Sequence, residues 1–225
     1  MLTRIKNNIF VALFLTIGIS IQLIAYYLVP DRPISLISGI LGICSVVLCS
    51  VGNISTFIFG FAQIATYLYI CYLNQLYGNL AINVFYFIAQ IYGLYVWRKR
   101  GSSLNSSLIT RHLSALKLII LTVIMIVASV LVGFVLQRFT DDPQPYLDAF
   151  TTVPAVVAEI LMVLAYREQW FIWFLIDATY VVLWARTGNA CMLLQFAFWC
   201  INCVYGFIRW NQALEIRNRH SEDIG

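Results

Sequence analysis

The run ALKLIILTVIMIVASVLVGFVL, residues 115–136, decides the fold class of this 225-residue chain. Its single charged residue, Lys117, lies near its start, and the run is long enough to cross the hydrocarbon core of a bilayer as a helix. Seven further apolar runs lie on either side of it, at residues 9–29, 33–50, 53–73, 79–97, 147–166, 170–186 and 189–210. The sequence therefore predicts an all-α membrane protein with eight transmembrane helices.

Composition agrees with this fold class. Hydrophobic residues make up 61% of the chain, charged residues 11%, and the mean hydropathy is +0.84. A soluble domain needs more charge than this to cover its core. The net charge of +4 does not indicate nucleic-acid binding either, because long apolar runs separate the basic residues and prevent a continuous basic patch.

The distribution of Lys and Arg predicts the orientation, because cytoplasmic loops retain basic residues. With the N-terminus inside, three basic residues fall outside: Arg32, Arg138 and Arg186. Eleven fall on the cytoplasmic side: Arg4, Lys6, Arg98, Lys99, Arg100, Arg111, Lys117, Arg167, Arg209, Arg217 and Arg219. An even number of spans with both termini inside accounts for this bias.

The chain repeats itself at an offset of 113 residues. Residues 53–97 align with 166–210 without a gap, and ten of the 45 positions are identical. The matches include Ala65-Thr66-Tyr67 with Ala178-Thr179-Tyr180, and Tyr92-Gly93-x-x-x-Trp97 with Tyr205-Gly206-x-x-x-Trp210. Parallel repeats related by an axis along the membrane normal are typical of transporters, although a duplication kept for packing alone would leave the same pattern.

Extending each repeat by one upstream helix predicts two parallel three-helix units joined by a linker helix, a 3+1+3 arrangement, plus an extra N-terminal helix. The expected divisions are the N-terminal helix at 1–32, the first unit at 33–97, a cytoplasmic loop with the linker helix at 98–146, the second unit at 147–212 and a cytoplasmic tail at 213–225.

The seventh predicted helix carries Trp170, Trp173, Asp177, Tyr180 and Trp184 along one face. A carboxylate about two turns from either helix end is costly unless it faces a cavity or a partner, which indicates that this face points inward. Aromatic rings beside a carboxylate suit a flat, positively charged ring. Structural pairing of Asp177 with a buried Tyr, Gln or Asn is the alternative.

Three other helices carry polar faces. Amides can hold hydroxyl or carboxamide groups of a ligand, but they also join helices to one another. Glu159, in the middle of the sixth predicted span, is a second buried acid, with either a polar contact or a protonated structural role. The remaining candidate substrate-binding residues are Gln63, Tyr67, Asn83, Tyr86, Gln90, Gln195, Trp199 and Asn202.

The stretch EQWFIWFLIDATY, residues 168–180, with Gly188-Asn189 and Tyr205-Gly206 after it, resembles the C-terminal half of the PnuC family of bacterial nicotinamide riboside transporters. The mark of that family is a W-x-x-W in this helix, here Trp170 and Trp173. Tyr77-Gly78-Asn79 and Tyr92-Gly93 resemble the family's N-terminal half, so the resemblance covers about residues 33–212.

This resemblance implies a fold like that of the SWEET sugar transporters, in the inner membrane of a bacterium. It implies uptake of nicotinamide riboside, a precursor of NAD, by facilitated diffusion, with cytosolic phosphorylation trapping the substrate. It also implies that Trp170 and Trp173 belong to the substrate helix, and a homo-oligomer, which is a homotrimer by likeness to the SWEET fold. Related families carry thiamine or riboflavin, which is the alternative substrate class.

Other function classes find little support in the sequence. Both histidines lie outside the apolar runs, and motifs such as Gly-x-Ser-x-Gly and His-Glu-x-x-His are absent from the sequence. An enzyme, a cofactor and a metal site are therefore not expected, and neither is a nucleic-acid partner. A receptor would carry a longer soluble segment than residues 98–114. Coupling to sodium or protons through Asp177 or Glu159 stays open.

Overall fold

The structure is a computed structural model. The structure describes residues 2–29, 32–73, 77–100, 110–141, 143–188 and 190–222. Eight helices lie in these ranges: α1 (Leu2–Leu28), α2 (Pro33–Ser50), α3 (Thr56–Leu73), α4 (Tyr77–Lys99), α5 (Ala115–Phe139), α6 (Pro145–Val163), α7 (Gln169–Thr187) and α8 (Ala190–Glu222). The prediction of eight helices is therefore confirmed for the described part of the chain.

The predicted boundary between the second and third helices is also confirmed. Gly52 has a φ of 67°, a left-handed conformation that glycine adopts without steric cost, and α2 ends just before it. The Asn53 side chain then accepts a hydrogen bond of 2.8 Å from the backbone N–H of Ser55. This local bond favours a turn over a continuous helix.

Several predicted helix ends differ from the structure by a few residues, and those of the sixth and eighth helices change the description most. The sixth helix ends at Val163 and not at 166, because Ala165 adopts a φ of 62° in the turn that follows. Glu159 therefore lies one turn from the end of α6, and its predicted place in the middle of the span is wrong. α8 continues to Glu222, so the tail expected from residue 213 is helical as far as it is described.

Among the described residues, six helices are long and apolar enough to cross a membrane, by length and composition: α1, α2, α3, α5, α6 and α8. The apolar runs of α4 and α7 contain Asn83, Gln90 and Asp177 among tyrosines and tryptophans. These two helices supply much of the candidate site.

The helices pack as two groups with two seams between them. α3 packs against α2 and α4, and α7 packs against α6 and α8. The seams lie where α4 meets α6 and where α2 meets α8. α1 covers the second seam by packing against both α2 and α8, whereas α5 packs against α6.

Candidate functional site

Four aromatic rings form a buried layer across both seams, which we call the aromatic layer: Phe57, Trp97, Trp170 and Trp210. The ring of Trp97 meets Phe57 edge to face at 5.0 Å and Trp210 at 5.8 Å between centroids. Trp170 meets Trp210 in the same way at 5.7 Å. Each of the four side chains is at most 3% exposed, so the layer closes this part of the interior.

Both central tryptophans also bond across the seams. The indole N–H of Trp97, on α4, donates to the carbonyl of Met162 on α6 at 3.1 Å. The indole N–H of Trp210, on α8, donates to the carbonyl of Cys49 on α2 at the same distance. Trp97 directly precedes the basic run Arg98-Lys99-Arg100, a position typical of an anchor at the membrane surface, but its side chain is fully buried and does not have that role.

The first buried acid, Glu159, is paired with the other half of the molecule. The amide nitrogen of Gln90 lies 3.4 Å from a carboxyl oxygen of Glu159, and both side chains are buried. Tyr86, one turn before Gln90 on α4, is half-buried and lies in the neighbourhood of Glu159 and of Tyr180 of α7. Residues predicted on separate helix faces therefore meet around one carboxyl group.

The second buried acid, Asp177, lies near the middle of α7. Its side chain is 6% exposed, and one carboxyl oxygen lies 3.5 Å from the thiol of Cys203 on α8. Cys203 belongs to the same buried cluster as the aromatic layer. Asp177 therefore lies next to the layer, with Cys203 between them, and the half-buried Trp173 packs against the same cluster.

Asn202, beside Cys203 on α8, has the least satisfied side chain of the site. The residue is 0% exposed, yet neither its amide nitrogen nor its amide oxygen finds a hydrogen-bond partner among the described residues. The amide oxygen of Gln90 and the indole nitrogen of Trp199 are also buried without a hydrogen-bond partner among the described residues. Buried polar atoms are nearly always paired, so each of these unpaired atoms indicates a place that receives a polar ligand or water.

Aromatic rings line the part of the interior farther from the layer. Tyr180 stacks on Phe196 with 4.7 Å between centroids, and Phe196 meets Trp199 edge to face at 5.0 Å. Tyr67 of α3 lies in the neighbourhood of Tyr180 of α7. These residues are half-buried, in contrast with the aromatic layer.

The structure thus brings most of the predicted site residues to one interior. Asn83 and Gln90 are buried, and Gln63 and Gln195 are half-buried on α3 and α8. Trp170 differs from the other residues on its face of α7, because it lies in the aromatic layer two turns from Asp177. Sequence analysis missed two contacts, Cys203 and Phe196, because apolar residues at these positions carry no polar signal of their own.

The chemistry of this interior favours a cation and disfavours an anion. Two carboxyl groups, several π faces and unpaired amides are present, and residues 33–97, 139–166, 168–185 and 187–208 contain no Lys or Arg. Among the described residues, no group of three His, Cys, Asp or Glu side chains is arranged to hold a metal ion.

Known proteins resemble the chain over most of its length. The family model described as nicotinamide mononucleotide transporter matches residues 32–212. The nicotinamide riboside transporter PnuC of Neisseria mucosa is 30% identical over 223 residues, covering 94% of this chain and 83% of the relative. The protein of the same name from Haemophilus influenzae is 31% identical over 212 residues, covering 93% of this chain and 92% of the relative.

A solved structure resembles the fold as well. The crystal structure of the vitamin B3 transporter PnuC superposes with a TM-score of 0.75 at 28% identity, covering 92% of each chain. The family and these relatives are transporters and not enzymes, and their likeness, with the apolar helices, makes this chain a multi-pass membrane protein. The chain belongs to the PnuC family of transporters.

Proposed function

We propose that this protein carries nicotinamide riboside across the membrane by facilitated diffusion. The observation that carries the proposal is the interior around Asp177, where a buried carboxyl group lies among aromatic rings and the unpaired amide of Asn202. The names of the relatives from three species support the substrate class. Phosphorylation in the cytosol would then trap the substrate and maintain the gradient.

Each part of nicotinamide riboside has a chemical counterpart in this interior. Its pyridinium ring is a flat cation, for which Trp173 and Tyr180 offer π faces and Asp177 an opposite charge. Its carboxamide and ribose hydroxyls can bond the amide of Asn202, which lacks a partner among the described residues, and the amide oxygen of Gln90, whose amide nitrogen already donates to Glu159. Thiamine is also a cation but lacks the carboxamide and the ribose, and riboflavin is neutral, so both fit less well.

Residues 33–97, 139–166, 168–185 and 187–208 contain no Lys or Arg, which predicts that the site rejects a substrate carrying a phosphate group. Nicotinamide mononucleotide would bring its phosphate beside Glu159 and Asp177 with no Arg or Lys to bind it. Calorimetry on the purified protein should therefore detect binding of nicotinamide riboside and none of the mononucleotide, thiamine or riboflavin. Comparable affinity for riboside and mononucleotide would contradict the proposed site, and tighter thiamine binding would favour the related vitamin class.

The proposed architecture is the 3+1+3 arrangement, with units at 33–97 and 147–212, and with the cytoplasmic loop and the linker helix at 98–146. Several paired features support it at the same offset of 113 residues. The positive φ angles occur at Gly52 and Ala165, and the seam hydrogen bonds run from Trp97 to residue 162 and from Trp210 to residue 49. A pseudo-twofold axis between the units would account for each of these pairs.

We also propose the bacterial inner membrane as the location, with both termini and residues 98–114 in the cytoplasm, on the strength of the basic residues counted above. Homotrimeric assembly is proposed from the likeness to the SWEET fold.

The two ends of α5 provide a test of this orientation. His112 and Gln144 are both exposed and lie just before and after the helix. In a cysteine-free protein, His112→Cys should resist a membrane-impermeant maleimide added to intact cells, whereas Gln144→Cys should react. Equal labelling of the two, or labelling of residue 112 alone, would overturn the orientation.

A further inference from the structure

We infer that Trp97 and Trp210 are the gating residues of this transporter, an inference that rests on the proposed transport function. They form the centre of the aromatic layer, and each indole N–H holds the opposite group of helices. The layer separates Asp177 from the end of the bundle where the α2–α3 and α6–α7 turns lie. A substrate held at Asp177 can leave toward that end when the layer parts.

The hydrogen bonds of the two tryptophans act on helix ends. Cys49 and Met162 lie in the last turns of α2 and α6, where backbone carbonyls lack the usual partner within the helix. Turn N–H groups, of Gly52 and Ala165, approach the same carbonyls at 2.9 Å. Each indole adds a second donor from across the seam, so each tryptophan ties the end of one helix to the other group.

The arrangement makes the two seams open together. Trp97 closes the seam between α4 and α6, and Trp210 closes the seam between α2 and α8. Because the two indole rings also pack edge to face at 5.8 Å, a movement that separates the two groups at this end breaks both hydrogen bonds and the ring contact.

Two glycines fix the outer rings of the layer. A Cβ atom on Gly93 would come within 2.7 Å of the Phe57 ring, and one on Gly206 within 2.6 Å of the Trp170 ring. Both glycines lie one turn before a gating tryptophan. The missing side chains therefore let Phe57 and Trp170 lie directly against the helices that carry Trp97 and Trp210.

Thiol accessibility tests the gate without any substrate. Cys203 contacts Asp177 and packs in the same cluster as the layer, so opening the layer should expose it. In a full-length protein whose only cysteine is Cys203, reconstituted in vesicles, an impermeant thiol reagent is applied to each side in turn. Trp97→Phe and Trp210→Phe keep an aromatic ring but lose the N–H donor.

Each variant should raise the labelling rate about five- to tenfold from the side of the two turns, which is the usual effect of losing one hydrogen bond on an equilibrium. The rate from the other side should not rise. Phe57→Leu removes a ring from the layer and leaves both hydrogen bonds in place, and it should also raise the labelling rate of Cys203. This variant provides the test if a tryptophan variant does not fold.

Ser45→Ala is the matched control. The Ser45 hydroxyl donates to the Thr56 carbonyl at 2.9 Å within one group of helices, so its loss should lower stability without changing the labelling rate. Unchanged labelling in the folded tryptophan variants, or an equal rise from both sides or in Ser45→Ala, would overturn the inference. Failure of the protein to bind nicotinamide riboside would leave the labelling result unaffected and would count against the proposed function alone.

Discussion

Replacing Asn202 by leucine should weaken nicotinamide riboside binding about 100-fold while leaving the folded protein at least as stable. Both polar atoms of the Asn202 side chain are buried without a partner in the described part of the chain. An unpaired buried polar group costs about 1–3 kcal/mol, and leucine of similar shape removes that cost. Two lost hydrogen bonds to substrate, at about 1.5 kcal/mol each, give the expected factor.

Asn211→Leu, nine residues further along α8, should have the opposite effects: lower stability and unchanged substrate affinity. Its amide oxygen accepts a hydrogen bond from Arg167, and its amide nitrogen donates to Glu215 at 2.9 Å. Removing these bonds should lower the melting temperature and leave the affinity unchanged. Calorimetry and thermal unfolding of both variants separate the two effects. If Asn202→Leu destabilised the protein and bound substrate normally, the amide would be a structural contact between helices.

The helix pattern could be predicted from sequence because bilayer thickness fixes the length of an apolar run and because Gly52 interrupts the longest one. The polar face of α7 could also be predicted from the bilayer. A carboxyl group at the depth of Asp177 is costly unless it faces a cavity or a polar partner, so this face has to point inward. The distribution of basic residues carries information about orientation only, and so it could not show which side chains face each other.

The environment of Trp97 could not be predicted. Its neighbours in sequence, Arg98 and Lys99, report its depth along the membrane normal, whereas burial depends on the rotation of α4 about its own axis. The offset of 113 residues paired Trp97 with Trp210, but the reciprocal bonds to Met162 and Cys49 require the two groups to face each other. The contact of Cys203 with Asp177 was missed because a cysteine within an apolar run gives no polar signal in the sequence.

Trp173→Ala should weaken nicotinamide riboside binding about tenfold or more, because a π face over a desolvated cation contributes roughly 2 kcal/mol. Trp173 is half-buried one turn from Asp177. Trp97 is no suitable comparison, since its removal would leave a cavity and break the bond to Met162. Phe171, on the same helix and 58% exposed, is the better control, and Phe171→Ala should bind substrate normally.

A charge comparison separates the π contact from simple loss of packing. Trp173→Phe keeps a ring and should retain most of the affinity, whereas Trp173→Leu keeps bulk alone and should not. The reduced form of the nucleoside has a neutral ring of nearly the same shape, so it loses van der Waals contact but no cation–π attraction when Trp173 is removed. Titration of both forms should therefore show the larger loss for the cation. An equal loss for both forms would mean that Trp173 supports the site by packing and that the charge of the substrate is recognised elsewhere, by Asp177 or Glu159 alone.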